Sequence, residues 1–536
     1  MENAPSMIQN PILRGFNPDP SITRAGDDYY IATSTFEWYP GVQIHHSRDL
    51  IHWQLIKRPL DRATQLDMRG NGDSCGVWAP CLNYADGLFW LTYSDVKRRE
   101  GNFKDVHNYL VTAPSIDGPW SDPIYLNSSG FDPSLFHDDD GRKWLVNLEW
   151  DHRSRPSKFG GIVLQEFDPV AKCLTGPMRN IFPGSPLGKT EGPHLYRHGE
   201  YYYLITAEGG TGYEHAVSMA RSKSITGPYE FHPQWHVVTS RLFPEAELQR
   251  AGHGDFVETQ EGDVYVVHLT GRPIAGLRRC PLGRETAIQK AQWDDDGWLR
   301  LCGDPLEPRM HVPAPDLPIH VFADEPVRHD FDSESLPLVF QWLRSPYPER
   351  LFSLTARPGH LRLTGRESIG SWFEQSLIAR RQTALNYFAE TVVEARPESH
   401  QQMAGLITYY NRCAFHYLAL TFDASAGTCL HVFSCAGDWP NGQLTVALDT
   451  AVAVPQGQPV RMRVEVEGCA LRFFYALDAN AWTRIGPILD ASLLSDEVGQ
   501  GDHGNFTGAF VGMAAHDVSG QAMTADFDYF EYQDLA

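Results

Sequence analysis

Three stretches of the chain set a carboxylate at the foot of a run that alternates apolar and polar residues: Asp19 in NPDPSI, Asp132 in FDPSLFHD and Glu191 in TEGPHLY. Asp-Pro and Glu-Gly are ordinary turn chemistry, since proline fixes φ and an aspartate readily hydrogen-bonds its own backbone. A shared position separates these three from simple turn residues. Each stands seven to nine residues before a turn glycine, and the same place in two further segments, WAPCL and HGDFV, holds Ala79 and His253. Two carboxylates in one cleft are the minimum equipment for cleaving a glycosidic bond: one protonates the leaving oxygen, the other activates water or attacks directly. A third can orient the acid and keep its pKa high. The same cluster could instead bind a hard cation through oxygen ligands. A structural protein has little reason to gather acids in one cleft, where like charges repel and raise each other's pKa.

The elements that would position these residues recur along the first 300 residues. AGDDYYIATST, ADGLFWLTYSD, DDGRKWLVNLE, RHGEYYYLITAE and QEGDVYVVHLT share one pattern, a polar glycine turn followed by alternating aromatic and aliphatic residues. The glycines are Gly26, Gly87, Gly141, Gly199 and Gly262, in steps of 61, 54, 58 and 63 residues. Strand, glycine turn and strand make a β-hairpin signal, and HSRDLIHW, APSIDGPW and ARSKSITGPYE add a second recurring turn in three of the units. A period of this size built from short strands points to a β-propeller with five blades; a β-sandwich with coincidental hairpins is the alternative. In a propeller the first strand of each blade lies against the axis, so Asp19, Asp132, Glu191 and His253 would converge at one end of the channel.

A chain of 536 residues calls for two or three domains. Hydrophobic residues make up 42 % and charged ones 21 %, with 12 % aromatic, which suits β-sheet cores and sugar-stacking surfaces alike. The formal net charge of -22 and the lack of a basic run argue against nucleic acid and anionic membranes as partners. Nine cysteines without a Cys-x-x-Cys pair read as reduced thiols of a cytoplasmic protein. The opening MENAPSMIQNPILRG lacks the basic and apolar regions of a secretory signal, and no run is apolar enough to span a bilayer. Zinc-protease, serine-hydrolase, phosphate-loop and dinucleotide motifs are missing from any context that would support them.

The segment 303–327 carries six prolines and no clear period, and reads as a linker or strap between a propeller over 1–302 and a second domain over 328–536. In that second domain HLRLTG, ETVVEARP, GLITYYN, FHYLALTFD, VRMRVEVEG and ADFDYFEYQ are short alternating strands, as in a β-sandwich of lectin-like jelly-roll type. Phe36, Trp38 and Trp78 fall where a sugar ring would need aromatic faces, and Arg284 in CPLGRETAIQ has the fixed donors to bind hydroxyls or hold a carboxylate.

NPILRGFNPDPSI, GVWAP, NSSGFDPSLFHDDDGRKWLVN, TEGPHLY, HLTGRP and CPLGRETAIQ, in this order, resemble glycoside hydrolase family 43, most closely its intracellular β-xylosidases, nearly end to end. The resemblance implies a five-bladed propeller and an inverting mechanism, with Asp19 as general base, Asp132 tuning and orienting the acid, and Glu191 as general acid. It implies substrate contacts by Arg284 and by His253 on the axis, and a pocket closed by Phe506 in GNFTGAFVGM; Phe36 and Trp78 complete the expected substrate-binding set. Some relatives hold calcium near that histidine, so a structural calcium beside His253 is allowed and no cofactor is required. The expected activity is release of xylose from the non-reducing end of xylo-oligosaccharides by a homo-oligomer, dimer or tetramer. An α-L-arabinofuranosidase, or an enzyme with both activities, is the rival within the class, and a non-catalytic sugar-binding propeller the rival outside it. The Asn-Asp-Pro-Asn, Arg-Asp-Pro and Glu-Cys of fructan-cleaving propellers have no counterpart here, which argues against a fructosidase.

Overall fold

The structure, a computed structural model, describes residues 6–153, 157–303, 305–437, 442–478, 481–498 and 505–535. The first part of the chain folds into five four-stranded antiparallel sheets, each built from one contiguous stretch. Their inner strands are Ser21–Ala25, Gly76–Ala85, Ser134–His137, Glu191–His198 and Gln249–Glu258. Each pairs with the strand that follows it: Ile22 lies opposite Ile31, Leu82 opposite Leu91, Leu135 opposite Leu145, Leu195 opposite Leu204 and Phe256 opposite Val266. The five hairpin glycines have φ between +58 and +87°, the left-handed region that strains an L side chain and sets the register of each hairpin.

Neighbouring blades bury the faces of their sheets against each other. Val146, Leu148, Ile162 and Leu164 of the third blade share one cluster with Leu195, Leu204 and Ala220 of the fourth. The ring is closed from outside the blades. Met7–Gln9 pairs antiparallel with His311–Pro313, Asn10 Nδ2 donates to Ile288 O at 2.8 Å, and Ile288 N donates to Asn10 Oδ1 at 2.8 Å. The proline-rich segment thus runs along the propeller, where His320 N also donates to Asp49 Oδ2; Asp304 lies outside the described residues.

The second domain is a sandwich of an eight-stranded and a nine-stranded sheet among the described residues. Val460–Glu467 shows why it forms: Val460, Met462, Val464 and Val466 are buried while Arg461, Arg463 and Glu465 between them are not, the period of a half-buried strand. Leu406, Leu418, Val511 and Met513 of one sheet meet Val393, Val464, Phe527 and Phe530 of the other. The propeller lends this sandwich an edge. Trp38–Tyr39 pairs with Phe340–Leu343, and Trp38 stacks on Phe510 with ring centroids 3.7 Å apart. Trp38 therefore belongs to the core between the domains and does not face a substrate. Helix among the described residues is limited to the 3-10 turns Pro348–Arg350, Ala491–Leu493 and Asp496–Val498, and no helix there is long and apolar enough to cross a membrane.

Candidate active site

Asp19, Ala79, Asp132 and His253 have φ of +56, +22, +58 and +46°. Each non-glycine residue held there costs on the order of 1–3 kcal/mol; Asp19 and Asp132 stand two residues ahead of their inner strands, and Ala79 and His253 at register shifts within theirs. In the fourth blade the left-handed residue is Gly192, at φ +56°. The expectation that Glu191 shares the position of Asp19 and Asp132 is therefore off by one residue. Asp19-Pro20, Ala79-Pro80, Asp132-Pro133 and Gly192-Pro193 are the equivalent pairs, and Glu191 precedes its pair. Glycine is needed there because a Cβ would lie 2.8 Å from His253 Cε1.

Two residues further along each strand a second ring closes the channel below: Ser21, Cys81, Ser134, His194 and Asp255. Cys81 Sγ lies 3.3 Å from Ser134 Oγ, Ser134 Oγ 3.2 Å from His194 Nδ1, and His194 Nδ1 4.0 Å from Asp255 Oδ2. Asp255 accepts the N–H groups of Ile22 and Phe256, but burial outweighs these bonds and the pull of His194 and holds its carboxyl above the usual carboxylate range. Burial by itself would lower His194, but Asp255 and the Cys81 thiol carry it up to about 9, so the axis holds an imidazolium beneath the carboxylates.

The three acids have different surroundings. Asp19, 5 % exposed, accepts from Arg284 Nη1 at 2.7 Å and from Ser34 Oγ at 2.7 Å, with His253 Nδ1 at 3.8 Å. Asp132 accepts the backbone N–H of Gly192 at 2.9 Å, a bond to the peptide that carries Glu191. Glu191 is held well above the usual carboxylate range, first by burial and then by the nearby charges of Asp132 and Asp19, against the pull of Arg284 and Lys189. Asp132 is raised too, by burial and by Asp19. Burial lowers His253 to about 4 despite Asp19, leaving it neutral. One acid is thus kept protonated while another is held by a guanidinium, a division of labour suited to acid–base catalysis.

These groups form one end of a cavity of about 270 Å³ whose lining includes eight of the residues expected from the sequence, Asp19, Phe36, Trp78, Asp132, Glu191, His253, Arg284 and Phe506, but not Trp38. Phe506 comes from the sandwich. Its carbonyl accepts from Arg284 Nη2 at 2.8 Å and its N–H donates to Ser74 Oγ at 3.1 Å. The rings of Phe36, Trp78 and Phe506 lie 5.9–6.5 Å apart and give the apolar faces that sugar rings pack on.

The walls also hold Arg99, Lys104, Phe131, Trp150, Phe159 and Lys189, none of which the sequence reading singled out. Strand geometry offered a signal for three of them, Arg99, Lys104 and Trp150. In a hairpin the end of the second strand lies beside the start of the first, so residues leaving Leu88–Arg98 and Lys143–Trp150 must border the same pocket. Ser34, the partner of Asp19, follows Asp28–Thr33 in the same way.

Calcium takes six to eight oxygen ligands. The carboxylate beside His253 is Asp19, already bonded to Arg284 and Ser34, and no group of three or more His, Cys, Asp or Glu side chains among the described residues is arranged to hold a metal. A calcium ion beside His253 would have to draw most of its ligands from water and backbone oxygens.

Comparison with known proteins agrees with this geometry. The family model for glycosyl hydrolases family 43 matches residues 8–299, and that for the β-xylosidase C-terminal concanavalin A-like domain matches residues 328–533. The chain is 57 % identical over 527 residues to xylosidase/arabinosidase 43B of Humicola insolens, covering 98 % of this chain and 97 % of the relative. It is 49 % identical to a β-xylosidase of Bacillus subtilis strain 168, over 98 % and 99 %. The crystal structure of a xylan β-1,4-xylosidase from Bacillus halodurans C-125 superposes with a TM-score of 0.96 at 52 % identity, covering 98 % of this chain and all of that one. With the propeller, the carboxylate-lined axis and the capping sandwich, these matches make the chain a member of glycosyl hydrolase family 43.

Proposed function

We propose that the protein is an exo-acting, inverting β-1,4-xylosidase that releases xylose from the non-reducing end of xylo-oligosaccharides. The observation that carries this reading is the presence of two differently held acids in one capped pocket: Asp19 on Arg284 and Ser34, Glu191 kept high by burial and by like charge. Glu191 donates its proton to the glycosidic oxygen as the bond to the anomeric carbon breaks. Asp19 takes a proton from a water that attacks that carbon from the opposite face, so a β-linkage yields α-xylose. This geometry needs roughly 6.5–9.5 Å between the two carboxyl groups. Asp132, through the N–H of Gly192, fixes the backbone on which Glu191 is mounted. Arg284 and His253 contact sugar hydroxyls at the floor, and Phe506 limits the pocket to chain ends.

A second reading is favoured by the relative named xylosidase/arabinosidase: the same pocket accepts α-L-arabinofuranosides, whose hydroxyls can be presented in a similar arrangement. Rates on 4-nitrophenyl β-D-xylopyranoside and 4-nitrophenyl α-L-arabinofuranoside, measured side by side, decide between them; equal kcat/KM would replace the xylosidase assignment with a bifunctional one. We further propose that the catalytic unit is 1–302, the linker 303–327 and the capping unit 328–536, that the enzyme works as a dimer or tetramer, and that it acts in the cytoplasm. Buried thiols at Cys75, Cys81, Cys280 and Cys429 support a reducing compartment.

A further inference from the structure

The pocket has two chemically distinct ends. At the floor stand Asp19, Arg284 and His253, all under 6 % exposed. The mouth draws on two loops and includes three cations, Arg99, Lys104 and Lys189, of which Arg99 is buried, Lys104 half-buried and Lys189 exposed. Resting on the xylosidase reading, which puts the leaving group at this end, we propose that the mouth recognises an acidic aglycone, a leaving group with a carboxylate on or beside its first sugar unit.

Lys104 and Lys189 have no ion pair among the described residues, and Arg99 has only a long one, to Glu100. Lys104 Nζ donates to a carbonyl, Arg99 O. Arg99 spends Nε on Asp73 O at 3.2 Å, with the carboxylate of Glu100 no nearer than 3.7 Å, and its terminal nitrogens donate to no described acceptor. Its guanidinium lies over Phe506 at 5.1 Å, while Lys104 Nζ stands 4.4 Å from the Trp150 ring centre and 5.9 Å from that of Trp78.

Keeping them there is costly. Lys189 has a left-handed backbone at φ +54°, and its chain lies against Gly210, where a Cβ would meet Lys189 Cδ at 2.8 Å. The loop beneath is pinned by Glu208, which accepts from Ser185 N at 2.8 Å and Thr190 Oγ1 at 2.9 Å. Burial and the charge of Arg99 push Lys104 down to about 8. Lys189 also pulls down the acid that must stay protonated. Unpaired positive charge beside a general acid is unfavourable for a neutral leaving group and favourable for an anionic one.

Two carboxylate sources fit: an aldonate replacing the reducing-end sugar, and a uronate branch on the second sugar. The test compares kcat/KM of the full-length enzyme on xylobionate with that on xylobiitol, and on xylobiose whose reducing xylose bears a glucuronate with that on plain xylobiose. A preference of about tenfold for the acidic member of either pair is expected, and the pair that shows it identifies the source. Lys104→Met and Lys189→Met should each shrink that ratio several-fold, and Lys104→Arg should restore it. Equal rates on both members of both pairs, or a preference that survives both methionine variants, would overturn the proposal. Failure to cleave xylobiitol, xylobiose and 4-nitrophenyl β-xyloside would instead overturn the xylosidase reading beneath it.

Discussion

The cap over the pocket hangs on few bonds, and one hydroxyl tests whether they position it. Phe506 is tied through its own N–H and carbonyl to Ser74 and Arg284, and the next residue, Thr507, donates its N–H to Tyr410 Oη at 3.0 Å. Tyr410 in turn donates to Asp496, which is ion-paired with Arg250 of the propeller at 2.7 Å. Tyr410→Phe removes the hydroxyl and leaves the fully buried N–H of Thr507 without its acceptor, a cost of about 1–3 kcal/mol. The local way to relieve that cost is to shift the segment 505–507, and with it the ring of Phe506. At about 1.4 kcal/mol per factor of ten, a five- to tenfold loss in kcat/KM on 4-nitrophenyl β-xyloside is expected, carried mainly by KM because the cap binds substrate without taking part in proton transfer. Tyr417→Phe is the control: its hydroxyl donates to Ala514 O at 3.0 Å in the same sheet and has no bond to the cap. Both variants should lower Tm by a few degrees, at about 2–4 °C per kcal/mol for a domain of about 150–250 residues. Identical KM values for the two variants would refute the positioning role.

Three further outcomes follow from the site. Gly192→Ala places a methyl group against His253 at a strained φ of +56°, and should cut kcat/KM at least tenfold while circular dichroism stays native; full activity would mean that His253 yields at no cost. Asp132→Asn removes a like charge that helps hold Glu191 up, so the basic limb of the kcat/KM profile, where Glu191 loses its proton, should move to lower pH by about one unit, besides any loss in rate; an unmoved limb would contradict the coupling. Glu37 is fully buried, pushed up to about 7 by burial despite Arg344. Its folded-state pKa exceeds the unfolded value of about 4.3, so the native state binds the proton more tightly and loses stability as pH rises between the two values, by up to about 4 kcal/mol. Glu37→Gln should therefore match wild type near pH 4.5 and exceed it in Tm near pH 8; a difference that is constant with pH would count against this.

How much of this was readable beforehand differs by level. The propeller was legible because a glycine with positive φ recurs in every hairpin, and the strand ahead of it keeps its alternation. The sandwich was legible from strands such as Val460–Glu467, where burial has period two. The offset of Glu191 was not, since counting back from a turn glycine cannot tell which residue turns left-handed; the proline after Gly192 was the better marker. Trp38 was misplaced as a sugar-facing residue because nothing in EWYP tells that those residues join an edge of a distant sheet. Lys189 went unread because it sits on a loop without period, and Arg99 and Lys104 because their place beside the pocket follows only once the hairpin of their blade is laid against the axis.

The central claim is a two-carboxylate displacement with inversion, and the anomer released tests it most directly. Proton NMR of xylobiose hydrolysis in its first minutes, before mutarotation, should show α-xylose from the wild type and no release from Asp19→Ala or Glu191→Ala. β-Xylose as the first product would contradict the account, because it requires a covalent intermediate and carboxyl groups only about 5–5.5 Å apart.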